Sequence, residues 1–306
     1  MSWLDRQSFL GVDSDAVLAG LTVGLVGLGG GNSHVAQQLA HLGVGGYVLV
    51  DDDLISLTNL NRLVGATFAD IIAKRSKLEI SKRVILGVNP QARISGHQAR
   101  WQVVGDALKG CDLIIGGVDN IRSKDELEAF CRRFMIPYID MGMDVHQLAA
   151  TGEYLVAGQV VLSSPGEPCL RCLGVITDEA LEAEAKRYGD AGSKPQVVWP
   201  NGVLASTAVG LLVQMVTPWH RAPIRSAYLA YDANLGTVAP SDRLRRRLGK
   251  TCPHYPPKAV GDPGFDIRRF LEAQDAAITA KTEPTIEPVR RLNWFDTLTR
   301  WFKALY

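Results

Sequence analysis

Leu21-Thr22-Val23-Gly24-Leu25-Val26-Gly27-Leu28-Gly29-Gly30-Gly31-Asn32-Ser33 decides the fold. Its first six residues form a short apolar run that reads as a buried strand. The glycines after it let the backbone turn tightly. Beyond them Val35, Leu39 and Leu42 keep helical spacing until Gly43 stops the helix. Tyr47-Val48-Leu49-Val50 is a second apolar run, closed by Asp51-Asp52-Asp53. Strand, glycine turn, helix and strand within about 30 residues make a βαβ unit, and so a parallel sheet with a right-handed crossover.

The same alternation continues outward. Residues 74–88 read as a helix ended by Asn89-Pro90, and 92–97 as a strand. Residues 111–115 are another buried strand, 123–134 a helix and 137–140 a further strand. Past residue 150 the texture changes: 154–163 read as an antiparallel strand, 201–216 as an apolar helix stopped by Pro218, and 226–232 as a strand. Between them, residues 177–196 are polar without a buried face and read as a crossover loop, bounded at about 173–200. Pro253, Pro256, Pro257 and Pro263 place the end of the compact domain near 255. A linker with a short helix is expected over 256–291. Leu292, Phe295, Leu298, Trp301, Phe302 and Leu305 make an aromatic amphipathic helix of 292–306. The expected fold is α/β: a Rossmann-like, doubly wound, mostly parallel sheet extended by antiparallel strands.

Composition excludes several classes. The 33 basic and 32 acidic residues leave a net charge of +1, so there is no clear nucleic-acid signal. The Arg243, Arg245, Arg246 and Arg247 cluster reads as a solvated face. No run of 18 apolar residues occurs, so no membrane span is expected. The first residues lack a basic stretch followed by an apolar core, which argues against a secretory signal. Five cysteines, an odd number, do not suggest a disulfide framework, and the expected compartment is the cytoplasm.

A turn rich in glycine lets a phosphate approach the amides of the following helix, and a carboxylate closing the next strand can accept ribose hydroxyls. The turn and Asp51 together indicate an adenine-nucleotide site. They do not choose between NAD and ATP, and a turn required only by helix–sheet packing would look similar.

Further residues resemble the ThiF/MoeB/ubiquitin-activating superfamily of adenylyltransferases. Arg6-Gln7 is similar to the end of the family's N-terminal arginine signature. Gly27, Gly29 and Gly30 resemble its nucleotide turn, and Asp51, Asp53, Asn59 and Arg62 its next two elements. Lys77 stands where the family has a helix lysine, and Asp119-Asn120 matches a pair ending a later strand. Cys169 and Cys172, after Gly166-Glu167-Pro168, resemble half of a zinc motif. The resemblance spans residues 4–255.

It implies ATP-dependent adenylation of the C-terminal glycine of a small ubiquitin-like or sulfur-carrier protein. Asp51 would bind ribose; Asn59, Arg62 and Lys77 would hold the triphosphate; Asp119 would organise Mg²⁺. Arg6 would be an arginine finger supplied by the mate of a homodimer. Both reactants are anions, so fixed cations suit the chemistry, and no protein nucleophile is needed. Cys111 and Cys131 read as core packing, and no cysteine lies in 173–202, so a stable thioester is not expected. A downstream conjugating or sulfur-transfer protein would capture the adenylate.

Two departures stand out. Asn32 replaces the third glycine, and its amide is a candidate nucleotide contact. Tyr255 replaces the last cysteine of the zinc motif, which leaves Cys169, Cys172, Cys252 and His254 as a Cys₃His set. Competing readings are an NAD(P)-dependent oxidoreductase, an adenylating tRNA-modification enzyme of the threonylcarbamoyladenosine dehydratase type, and a scaffold that keeps only the fold.

Overall fold

The computed structural model describes residues 2–186, 195–220, 224–256, 260–261 and 267–282. Eight strands form one sheet: β1 (Thr22–Val26), β2 (Gly46–Val50), β3 (Arg93–His97), β4 (Leu113–Gly116), β5 (Tyr138–Gln147), β6 (Tyr154–Ser163), β7 (Ala227–Asp232) and β8 (Thr237–Pro240). Their order is β3-β2-β1-β4-β5-β6-β7-β8. The first five run parallel and the last three add antiparallel. The order reverses between β1 and β4, the crevice where doubly wound sheets place ligands.

The helices are α1 (Ser14–Gly20), α2 (Gly30–His41), α3 (Phe68–Ile72), α4 (Lys77–Val88), α5 (Gly105–Leu108), α6 (Ile121–Arg133), α7 (Asp178–Lys186), α8 (Val198–Val216), α9 (Asp242–Arg245) and α10 (Ile267–Thr282). Helix α2 packs on α4 and α8, while α6 covers β4 and β5. Right-handed crossovers put α2 and α4 on one face and α6 on the other. The larger core lies under α2 and α8, where Leu25, Leu49, Ile115, Leu162, Leu204 and Leu212 are buried. Under α6, Trp101 meets Phe130 edge-on at 5.8 Å and donates its indole N–H to Ser123 Oγ at 2.9 Å.

Helix α8 is long and apolar enough to cross a membrane by composition alone. It is seated on α2, β5 and β6, as a core helix would be. Two compact units emerge, residues 1–265 and 266–306. In the second, α10 occupies part of the stretch read as linker, and the amphipathic 292–306 helix lies outside the described residues.

The structure corrects three local readings and adds to a fourth. Helix α4 starts at Lys77, not residue 74, because Ser76 and Glu79 form a capping box in which each accepts the other's backbone N–H. The polar segment read as loop contains α7. Strand β8 was not anticipated, because its four residues are all exposed and carry no burial pattern. Arg243, Arg245, Arg246 and Arg247 are exposed, as read, but two of them also hold the cysteine loop. Arg243 Nη1 donates to the carbonyls of Leu173 and Gly174, and Arg247 Nε to that of Cys172 at 3.1 Å.

Asp70 is the buried acid that fastens α3 to α4. It accepts both terminal nitrogens of Arg83 at 2.7 and 2.8 Å, and Arg75 Nε lies at 3.1 Å. The Arg83 hydrogen bonds hold the Asp70 carboxyl well below the usual carboxylate range. A depressed folded pKa gives stability that is complete above the unfolded value, about 3.9, and is lost as pH falls toward the folded one. Asp70→Asn is expected to cost about 1–3 kcal/mol at neutral pH. It should also flatten the acid limb of a urea-stability profile, measured by circular dichroism below pH 5, roughly one unit above that unfolded value.

Candidate nucleotide site and metal centre

The site begins at the carboxyl end of β1. Gly27 has φ +78°, and a Cβ there would come within 2.9 Å of Gly117 after β4. The turn and the end of β4 therefore lie backbone to backbone, which only glycine permits. Asn32 closes this arrangement. Fully buried, its Nδ2 is in reach of the carbonyls of Val26 (3.2 Å), Gly27 (2.9 Å) and Ile115 (3.1 Å). Its amide nitrogen is spent on these carbonyls and shapes the turn, while its buried Oδ1 has no hydrogen-bond partner among the described residues. At Gly29, just before α2, a Cβ would meet nothing within 4 Å, so the space beside this residue is open.

Asp51 ends β2 and ties the strand to the turn. Its Oδ2 accepts Leu28 N–H at 2.6 Å and its Oδ1 accepts Asp53 N–H at 2.8 Å. Burial pushes its pKa up, and Lys77 opposes that shift. Lys77, first residue of α4, donates its backbone N–H to Asp53 O at 3.1 Å and its Nζ to Asp53 Oδ2 at 2.5 Å. Nζ is also 4.0 Å from Asp51 Oδ1. Arg75, a nearby competitor for this role, turns away to Asp70 and Glu79.

The loop after β2 carries Asn59 and Arg62. Asn59 Oδ1 caps its own turn by accepting Ser56 N–H at 3.0 Å. Arg62 lies beside the glycine turn: a Cβ on Gly30 would be 3.3 Å from Arg62 Cδ and 2.7 Å from Asn201 Nδ2. Ser33 pins this loop to α2, accepting Val64 N–H at 3.0 Å and donating to Gly30 O at 2.8 Å. Asn201, Asn61 and Ser33 were missed by sequence reading. Their polar side chains on a helix or loop carry no periodic signal; the fold brings Asn201 to Gly30 and Asn61 to Gln196, whereas Ser33 reaches Gly30 O from the same turn of α2. Asn201 Nδ2 donates to Val197 O at 3.0 Å and Asn61 Nδ2 to Gln196 O at 2.8 Å, so both fasten the segment entering α8.

Across the crevice, Asp119 is exposed after β4, and Asn120 is the N-cap of α6, accepting Ser123 N–H at 2.6 Å. Next to it, Lys124 and Asp140 make a buried ion pair at 2.7 Å, with Lys124 Nζ also on Met141 O at 2.9 Å. Gly27, Gly29, Gly30, Asp51, Asp53, Arg62 and Lys77 thus line one side of the switch point, and Asp119 and Asn120 the other.

Arg6 stands apart. It is exposed on a 3-10 segment, Asp5–Leu10, which rests on the far end of α2: Gln7 Nε2 donates to Leu42 O at 3.2 Å, and Leu4 packs over Gly43. Helix α2 has 12 residues, about 18 Å of rise. Arg6 is therefore about one helix length from the turn of its own chain.

Cys169, Cys172, Cys252 and His254 gather into one cluster with all ligand atoms within 4.8 Å of one another. Sγ of Cys172 is 3.6 Å from Sγ of Cys252, and His254 Nδ1 is 3.4 Å from the sulfurs of Cys169 and Cys172. Tetrahedral zinc with Zn–S bonds of about 2.3 Å needs donors about 3.8 Å apart, so this Cys₃His set could hold it. Tyr255, in place of a fourth cysteine, packs against the cluster. Beneath it Glu128, fully buried, accepts Leu170 N–H at 3.0 Å and pairs with Arg132, whose guanidinium lies 5.0 Å from the Tyr255 ring. Arg171 clamps the same loop to Asp125 at 2.7 and 2.8 Å.

All five cysteines are free thiols. Burial pushes Cys111 up to about 12 and Cys131 well above its usual value, so neither is a ready thiolate.

The chain is 32% identical to the sulfur carrier protein ThiS adenylyltransferase of Escherichia coli over 214 residues, 68% of this chain and 79% of that protein. It is 29% identical to ubiquitin-like modifier-activating enzyme 5 of Drosophila persimilis over 230 residues, 69% of this chain and 56% of that one. It thus spans most of the bacterial relative and little more than half of the insect one. Among solved structures, the Escherichia coli microcin C7 biosynthetic enzyme MccB with N-formylated MccA superposes with a TM-score of 0.67. At 20% identity, covering 82% of this chain and 73% of that one, it supports the fold. The ThiF family model matches residues 4–253, and this chain is a member of the ThiF family.

Proposed function

We propose that this protein adenylates the C-terminal glycine of a small ubiquitin-like or sulfur-carrier protein with ATP, releasing pyrophosphate. The observation that supports this reading is a glycine turn at the switch point with the Arg62 side chain beside Gly30 and Lys77 at the Asp51–Asp53 strand end, in a chain similar to a ThiS adenylyltransferase. ATP would lie with ribose toward Asp51 and Asp53 and phosphates over Gly29 and Gly30. Arg62 supplies a planar charged fork and Lys77 a point charge for the triphosphate. Asp119 is the hard oxygen ligand for Mg²⁺ on the opposite side. The tail carboxylate attacks the α-phosphorus and the bond to the bridging oxygen of pyrophosphate breaks. Catalysis is by positioning and charge stabilisation, with no covalent enzyme intermediate. The unpaired thiols suit a reducing compartment.

Arg6 sits too far along α2 to serve its own turn, so its role requires a second copy. Cys169, Cys172, Cys252 and His254 would hold a structural zinc ion, away from the phosphates.

Three outcomes test these assignments. Pyrophosphate exchange into ATP should depend on a carrier ending in glycine, and Lys77→Ala should lower it about 100-fold; exchange that ignores the terminal glycine overturns the reading. Arg6→Ala and Lys77→Ala should each be strongly impaired alone. Mixed after mild dissociation, they should regain roughly a quarter of the activity if finger and site come from different copies of a two-fold dimer. Elemental analysis of untagged protein should find about one zinc per chain, and Cys252→Ala should lose it.

A further inference from the structure

Helix α7, the outgoing leg of the crossover, is held at two points. Asp178 Oδ1 accepts Arg171 Nη1 at 2.8 Å, which fastens its start to the cysteine loop. Near its end, the Glu184 carboxylate reaches α6: Oε1 accepts Ile121 N–H at 2.9 Å and Oε2 accepts Arg122 N–H at 3.0 Å. These are the first two amides of α6, next to the Asn120 cap and the exposed Asp119. A carboxylate bridging two helix-start amides is a charge-assisted contact that the helix dipole strengthens. The returning leg is fastened to the loop after β2 by Asn61.

From this geometry we infer that Glu184 is a positioning residue, which clips the crossover helix over the carboxyl end of β4 and shields the adenylate formed there from water. The inference rests on the adenylation reading for its consequence, but the clip itself is a contact between two elements of this chain. No part of Glu184 enters the reaction. Its carboxylate fixes the end of α7 against the first turn of α6, which follows the carboxyl end of β4 where tail carboxylate and α-phosphate would meet. Without the clip, water attacks the acyl carbon of the adenylate, the mixed anhydride breaks, and free carboxylate and AMP leave together.

The test uses the full chain with Glu184→Ala and Glu184→Gln. Hydrogen exchange should speed up at the Ile121 and Arg122 amides by about tenfold or more in Glu184→Ala. It should do so less in Glu184→Gln, whose amide oxygen can still accept one of the two bonds. With a glycine-ending carrier and ATP, AMP released per pyrophosphate exchanged should rise about tenfold in Glu184→Ala, with KM for ATP unchanged. Unaltered amide exchange removes the clip, and faster exchange with an unchanged AMP ratio removes its shielding role. If the wild-type chain exchanges pyrophosphate with no glycine-ending carrier, the activity reading fails and the shielding role with it, while amide exchange still decides the contact.

Discussion

The amide of Asn32 is hydrogen-bonded to the ends of two neighbouring strands at once, and the rest of the site is assembled around that knot. Strands β1 and β4 part at the switch point, and a turn there must both leave the sheet and let a ligand approach. Glycines provide the second property at the expense of stiffness. A buried side chain with backbone acceptors in reach restores the stiffness, so the open face at Gly29 stands on a fixed floor. Ser33 holds the loop that carries Arg62 by accepting Val64 N–H, and Asp53 holds Lys77 at the end of β2.

Helix α6 serves two sites through its two ends. Its N-terminus frames the crevice with Asn120 and receives Glu184, while Glu128 and Arg132, two and three turns on, support the cysteine loop. The clusters are therefore related through one rigid element, which Arg171 ties to both α7 and α6. Glu128 and Arg132 are costly to bury and are tolerated only because each finds partners.

Much of this was legible in the sequence. The βαβ unit around Gly27 is strongly patterned, since its strands are buried on both faces and its turn has few chemical solutions. The antiparallel extension was readable at β6 and β7 but not at exposed β8. Lys77 and Arg62 were found through the order of motifs, and the cysteine set through spacing. The contacts of Asn201, Asn61, Lys124 and Glu184 were not, because each depends on a partner at least 16 positions away or on a turn whose direction the fold alone decides. Asn32 was noticed as a departure, yet its inward orientation follows from three carbonyls that only the folded sheet presents together.

Arg243 and Arg247 have one more implication. They already satisfy the carbonyls at Cys172, Leu173 and Gly174, and Glu128 the amide of Leu170, so the polypeptide around the thiols is shaped by guanidinium and carboxylate groups of its own. A cation arriving there would meet a ready-made cradle and would not have to organise it.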